Sequence, residues 1–327
     1  MKVDFHVHVV GTGAGGTGCW MRSGGWRKPM ENWMCRHIGL PLSAFKGDFD
    51  RLYADRLVQL VRDSSLDAAV ILAQEAVYNE RGEKLHCGSF YVPNDYVLQL
   101  ARRHPEFIPA VSIHPARKDA LDELDRCISE GAALLKILPN CHNIDCSLPR
   151  YRKFWERMAE ARLPLLAHTG GEHTLPVVDA RLADPRTLKL PLECGVTVIA
   201  AHCATKSGLF DPDYLNVLIE MMACYPRLYA DNSAFNIPVR SRAFRTSLQA
   251  PLVDRLVHGS DFPVLVFGHW AWMRGLIDRA TLARWQSNPN VLERDCQIKR
   301  AIGYPDAVFT RGGGLLRLNR KTAASVS

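Results

Sequence analysis

The sequence predicts an α/β fold, a single closed (β/α)8 barrel, and three observations carry that expectation. Short, continuously apolar runs alternate with amphipathic stretches at helical spacing along most of the chain. Eight strand-then-helix units are counted, the number that closes a parallel sheet into a barrel. Several of the runs end on a polar residue, and barrels carry their chemistry at the carboxyl ends of their strands.

The first run reads M-K-V-D-F-H-V-H-V-V from Met1 to Val10. Side chains of a strand alternate between faces, so His6 and His8 point the same way, about 7 Å apart along the strand. Two imidazoles so placed can share one metal ion. Apart from Asp4 and the histidines, both faces are apolar (Val3, Phe5, Val7, Val9, Val10), as in a strand buried on both sides. Unpaired polar groups are costly to bury, so these histidines need partners.

Gly11-Thr12-Gly13-Ala14-Gly15-Gly16 matches the letters of the G-x-G-x-x-G dinucleotide fingerprint. That fingerprint requires a helix to open at once so that a pyrophosphate sits on its N-terminus. Gly18, Gly24, Gly25 and Pro29 instead indicate a loop, and no nicotinamide or flavin is expected. Residues 11–48 read as a long loop insertion with Trp20, Trp26 and Trp33 and basic Arg22, Arg27, Lys28 and Arg36, placed over the active site as the roof of a pocket.

Leu52, Leu57, Leu60 and Val61 recur at helical spacing between Asp50 and Ser64, and A-A-V-I-L-A from Ala68 to Ala73 is a buried strand. A second long loop runs from Gln74 to Pro93, ahead of a helix from Asn94 to His104. The alternation continues with strands at Phe107 to Ile113, Ala132 to Leu138, Leu163 to His168, Val196 to His202, Leu228 to Asp231 and Leu256 to Ser260. The intervening helices fall near Arg117 to Glu130, Tyr151 to Ala161, Thr187 to Glu193, Asp213 to Cys224 and Arg240 to Leu248, with the last at Ala271 to Trp285. Residues 289–327 form a C-terminal extension with a helix from Val291 to Ile302 and a glycine-rich end without an assigned place. No linker or internal repeat divides residues 1–327, which read as one domain.

No apolar run reaches the roughly 20 residues a bilayer span needs. Asp4, His6 and His8 interrupt any signal-peptide core, and ten cysteines without framework spacing suit free thiols in a reducing cytoplasm. The net charge of +7 is spread without a basic block, which argues for a small anionic substrate and against nucleic acid. No membrane partner is expected, and a homodimer is the default assembly.

The polar residues at strand ends are His6 and His8 on the first strand, Lys136 on the fourth, His168 (L-L-A-H-T-G) on the fifth and His202 (V-I-A-A-H-C) on the sixth, with Asp261 (H-G-S-D-F-P) after the eighth. Imidazole and carboxylate are first-row metal ligands, and three or four of them with an open position make a catalytic site. Zinc is the first expectation; manganese, iron and cobalt suit the same donors. A metal lowers the pKa of bound water to about 7. Asp261 can then take the proton and return it to the leaving group, while His202 or the metal steadies the oxyanion.

Among the remaining candidates, His114 ends the third strand as a satisfied rim residue, or else faces the pocket. His173 and His258 are possible orienting partners of the ligands. Arg240 and Arg242 read as solvated at a helix start, with a bidentate carboxylate grip as the alternative.

From the D-F-H-V-H start to the G-S-D-F-P end, these motifs resemble, in order and in strand, the amidohydrolase superfamily, in its amidohydrolase 2 branch of TIM-barrel metal-dependent hydrolases. The resemblance implies that His6, His8, His168 and Asp261 bind the catalytic divalent metal. It implies for His202 either a second-metal ligand or a catalytic, substrate-contacting group. It likens Lys136 in L-L-K-I-L-P-N to the carbamylated lysine that bridges two metals in binuclear members, whereas many relatives in this branch are mononuclear; one ion is expected rather than two. The implied function is cleavage of an amide, ester or lactone bond in a small polar or anionic substrate. Alternatives are a decarboxylase or hydratase of the same branch, and a barrel that binds metal or ligand without turnover.

Overall fold

The structure, a computed structural model, describes residues 1–22 and 28–318. Its centre is a parallel sheet of eight strands in sequence order: β1 (Val3–His8), β2 (Ala68–Leu72), β3 (Phe107–Val111), β4 (Leu134–Ile137), β5 (Leu165–Ala167), β6 (Val198–Ala200), β7 (Leu228–Asp231) and β8 (Leu256–Val257). Main-chain bonds from Phe5 N to His258 O, Asp261 N to His6 O and His8 N to Phe262 O join β1 to the segment that leaves β8. The sheet thus closes, and helices lie between successive strands, which is the (β/α)8 TIM barrel the sequence predicts.

The apolar residues of each strand divide between two cores. One set, including Ala68, Val70, Leu72, Ile108, Ala110, Leu134, Leu166, Ile199 and Val257, packs together with Val3 and Phe5. The alternate set, including Ala69, Ile71, Phe107, Val111, Leu165 and Val198, packs with the helices. β1 departs from simple alternation. Its pairing with β2 shifts register between Asp4 and Val7, and Val7 and Val9 join the helix-side core, unlike Val3 and Phe5. That irregularity lets His6 and His8 follow Phe5 as site residues of the same strand.

The glycine-rich end forms helix Asp306–Leu315, which packs on β1 and β8. A Cβ on Gly312 would lie 2.8 Å from Phe5 Cδ2, so glycine is what lets this helix approach the strand. Leu316 is buried in the same core as Phe5, and residues 319–327 of the predicted extension lie outside the described residues.

The insertion differs from the loop the sequence suggests. It contains helix Lys28–His37 and the 3-10 turn Leu42–Lys46, and Trp20–Met21 pairs antiparallel with Phe90–Tyr91 of the second long loop. Pro29 sits near the helix start, where a missing N–H costs nothing, so it did not signal a loop there. Trp26 and Arg27, with Gly24 and Gly25, lie outside the described residues. The Gly11–Gly16 turn cradles a carboxylate belonging to the chain itself: Asp50 accepts from Thr12 N (2.6 Å), Thr12 Oγ1, Gly13 N and Thr17 Oγ1. A phosphate would find those donors spent.

The predicted helix from Ala271 to Trp285 is two helices, His269–Met273 and Arg279–Gln286, because Gly275 takes a left-handed conformation (φ 65°) between them. Among the described residues, no helix is long and apolar enough to cross a membrane.

Candidate metal centre

Five of the six residues singled out from the sequence are linked in two groups at the carboxyl end of the barrel. His6 Nε2 lies 3.2 Å from His8 Nε2 and 3.1 Å from Asp261 Oδ1, and His8 Nε2 lies 3.4 Å from the same oxygen. His168 Nδ1 lies 3.2 Å from His202 Nε2. The sixth, Lys136, sits two residues beyond Leu134 on the inner face of β4 and brings Nζ to 3.0 Å from His6 Nε2. The imidazole centroids of His6 and His202 are 5.2 Å apart, which joins the two groups.

The outer ring nitrogens are held by residues the sequence reading did not collect. Asp231, at the end of β7, accepts from His6 Nδ1 (2.8 Å), from His202 N (2.7 Å), and from Ser233 N and Oγ. Ser233 Oγ lies 2.8 Å from His202 Nδ1, and Ser233 O lies 3.2 Å from it. Because His6 and His202 each spend their Nδ1–H outward, each turns a bare Nε2 into the site. Burial pushes His6 and His202 below their ordinary pKa, and pushes His168 down to about 4. These imidazoles are neutral at pH 7, as ligands must be.

The carboxylates are in the complementary state. Burial alone would raise Asp231 and Asp261, but His6 beside them holds both well below the usual carboxylate range. Burial lowers Lys136 to about 8 against the pull of Asp231 and Asp261. Asp4 braces the strand: its Oδ1 accepts from His6 N and Ser260 N, and burial pushes its carboxyl up to about 7.

The backbone is strained where the ligand candidates sit. His202, Cys203 and Asp261 have φ of 59°, 49° and 66°, a region that costs non-glycine residues about 1–3 kcal/mol each. The turn after β6 is what delivers His202 N to Asp231.

Among the described residues, two groups of side chains have atoms close enough to hold an ion: His6, His8 and Asp261, and His6, His202 and Asp231. In the second, His6 Nδ1 and Asp231 are already bonded to each other. The first brings His6 Nε2, His8 Nε2 and an ionised Asp261 oxygen within 3.4 Å of one another, and it fits a divalent cation. A cavity opens above, floored by His8, His168, His202, Glu172 and Asp261 and walled by Met21, Met30, Met34, Phe90, Leu175 and Val264. Arg22 also lines it.

The model of the Amidohydro_2 family, described as amidohydrolase, matches residues 3–304. The chain belongs to the amidohydrolase family. Amidohydrolases are enzymes and typically depend on a metal. No curated protein sequence matches the chain. Among solved structures it is similar to an uncharacterized TIM-barrel protein from Bordetella bronchiseptica, at 16% identity and TM-score 0.59 over 95% of this chain and 99% of that one. It is similar to a probable 2-pyrone-4,6-dicarboxylic acid hydrolase from Acinetobacter baumannii, at 12% identity and TM-score 0.53 over 99% and 98%. It is also similar to 5-carboxyvanillate decarboxylase from Sphingomonas paucimobilis, at 11% identity and TM-score 0.50 over 99% and 98%. At these identities the likeness is one of fold.

Other histidines of this amidohydrolase do structural work. His114 is a satisfied rim residue: Nδ1 accepts from Ala116 N and Nε2 donates to His142 O. His173 pairs with Asp211 at the surface (2.9 Å), and the His258 ring makes no hydrogen bond among the described residues, so neither side chain orients a ligand candidate. The solvated reading of Arg240 is corrected. It is buried and donates to Gly171 O (2.7 Å), Thr205 O and Thr205 Oγ1, tying together the loops after β5, β6 and β7, whereas Arg242 is exposed.

Proposed function

We propose that this amidohydrolase is a metal-dependent hydrolase with one divalent ion, zinc first among the candidates, acting on a small anionic substrate through an amide, ester or lactone bond. The observation that carries the reading is the convergence of His6 Nε2, His8 Nε2 and Asp261 Oδ1 within 3.4 Å of one another. His6, His8, His168 and Asp261 would hold the ion. When bound, it supplies Lewis acidity, lowering the pKa of water toward about 7 and polarising a carbonyl.

The chain's own groups do the rest. Asp261 lines the cavity and its Oδ1 lies against both imidazoles, while Oδ2 takes a proton and passes it to a leaving group. His202 also lines the cavity, and its Nε2 accepts or contacts the reacting oxygen while Ser233 fixes the ring. The methionine wall is apolar and adaptable, so it takes a compact apolar body and keeps bulk water away. Arg22 takes the substrate's anionic group. The unpaired thiols, ten in all, support a cytoplasmic setting.

A second reading, decarboxylation, is favoured by Arg22 together with that apolar wall, since such a reaction needs a cationic grip and no water in line. Two measurements test these readings. Protein purified without chelator is expected to retain about one equivalent of metal per chain; none retained, and none taken up on titration, overturns the metal centre. Assayed against lactones and aryl carboxylates, it is expected to hydrolyse the former, and carbon dioxide release without hydrolysis selects the second reading. Asp261→Asn is expected to cost about 100-fold or more in kcat, the usual contribution of a positioned acid–base group. Undiminished turnover in that variant would remove Asp261 from the chemistry.

A further inference from the structure

The loop after β5 carries a carboxylate that no step above uses. Thr169 Oγ1 donates to Ala201 O, Gly170 N to Ala183 O and Gly171 N to Thr205 O, and Arg240 grips Gly171 O. Both glycines are required. Gly170 has φ 78°, and a Cβ there would stand 2.1 Å from Thr205 O; on Gly171 it would stand 1.9 Å from Asp211 Oδ2. The next residue, Glu172, is therefore delivered to one place.

Its side chain is held as firmly. Oε1 accepts from Thr174 N (2.6 Å), Leu175 N (3.0 Å) and Thr174 Oγ1. With Oε1 fixed, Oε2 lies 3.7 Å from His168 Nε2. That nitrogen is buried and has no hydrogen-bond partner, while the other nitrogen of the ring faces His202 Nε2. A shift of under about 1 Å turns the contact into a hydrogen bond.

We propose that Glu172 is a positioning residue: its Oε2 holds the Nε2–H of His168 and so presents the bare Nδ1 of that ring to a divalent cation. Imidazole ligands commonly donate their second nitrogen to a carboxylate, which fixes the tautomer and raises the basicity of the binding nitrogen. The bare Nδ1 then faces the bare Nε2 of His202 at 3.2 Å, an arrangement of two lone pairs that a cation relieves. The proposal rests on the metal-centre reading above. The alternative is that Glu172 merely caps the turn at Thr174 and Leu175.

Glu172→Gln separates the two. The amide oxygen keeps all three bonds to the turn, but the amide NH2 now faces His168 Nε2 and forces it to accept, moving the ring proton to Nδ1. The variant is expected to melt with the metal-free wild type and to bind zinc about 10–100-fold more weakly by chelator competition, with Glu172→Asp recovering part of the loss. Zinc affinity within about twofold of wild type makes Glu172 a turn cap only and overturns the proposal.

Long-range 15N–1H correlation of His168 in the wild-type protein supplies an independent reading that needs no variant to fold. The Nε2–H tautomer is expected, and the Nδ1–H tautomer with zinc present overturns the proposal. Should the wild type bind no zinc, the metal-centre reading falls alone. The metal-free proteins still decide the role of Glu172, by an Nε2–H ring in wild type and an Nδ1–H ring in Glu172→Gln, or by the same tautomer in both.

Discussion

Asp231→Ala is expected to lower stability by about 3–5 kcal/mol, the cost of removing one partner from a buried charged network. Four donors lose their acceptor at once: His6 Nδ1, His202 N, Ser233 N and Ser233 Oγ. None can reach water, because Asp231, Ser233 and His202 are all buried. For a chain of this size the loss corresponds to a melting temperature lower by about 4–7 °C. The same substitution frees the His6 and His202 rings to take the opposite tautomer, so zinc affinity is expected to fall by about 10–100-fold as well. Asp231→Asn keeps the shape and offers one acceptor, and it should recover part of the stability but not the orientation of His6. Calorimetry of the metal-free proteins with zinc competition on the folded ones checks both parts. A melting temperature within about 2 °C of wild type would show that Asp231 is not the post on which the site hangs.

Asp231 also shows how far the sequence could be read. It ends the apolar run L-Y-A-D at a strand terminus, as His168 and His202 end theirs, so the rule that found those histidines applies to it unchanged. A lone aspartate after a strand has many ordinary uses, helix capping among them, so the letter alone does not separate this one from the rest. Glu172 and Ser233 carried no such signal. Each reaches the site because a loop turns back, and the turns depend on conformations the letters do not announce: Gly170 packed against Thr205, and left-handed φ at His202, Cys203 and Ala204, none of them glycine. The barrel was legible because eight apolar runs and the helical spacing between them are local patterns, strong enough to survive without tertiary information. Helix Lys28–His37 was not, since its spacing lay beside glycines and Pro29 that read as loop. Arg240 was misjudged for a related reason. A guanidinium at a helix start is usually solvated, and only the folded loops show three neutral acceptors closing around it.

In the metal-free protein three buried histidine rings are expected to cost stability as pH falls from 6.5 to about 4. Asp4, its carboxyl pushed up to about 7 by burial, takes its proton more readily in the fold and opposes that loss. Burial pushes His114 down to about 4, and His142 and His258 well below their ordinary value. These three rings lie outside the proposed ligand set, and the structure shows why they stay neutral. His114 Nδ1 accepts from Ala116 N and His142 Nδ1 accepts from Leu138 N, bonds that a ring proton would break. His258 packs on Phe309 with both nitrogens unbonded; Lys299 and Arg300 oppose a charge there, and Asp295 Oδ2 is no closer than 4.0 Å. In the unfolded chain each ring takes a proton near pH 6.5, so acid favours unfolding from that pH downward until the folded rings titrate as well. The shift at His114 alone is worth about 3 kcal/mol when fully expressed, against a total stability on the order of 5–15 kcal/mol. Asp231 and Asp261, held below the carboxylate range, act with the same sign but only as pH falls below about 4. Urea midpoints measured at half-unit steps in wild type and in a single-ring variant should therefore diverge across the histidine window, with the Asp4 contribution common to both. His258→Leu removes a ring that makes no hydrogen bond, so it should change the slope of the profile by one proton and leave the midpoint at pH 7 no lower. Profiles of wild type and His258→Leu that run parallel from pH 6.5 to 4.5 would mean that the His258 ring exchanges its proton with solvent as freely as in the unfolded chain.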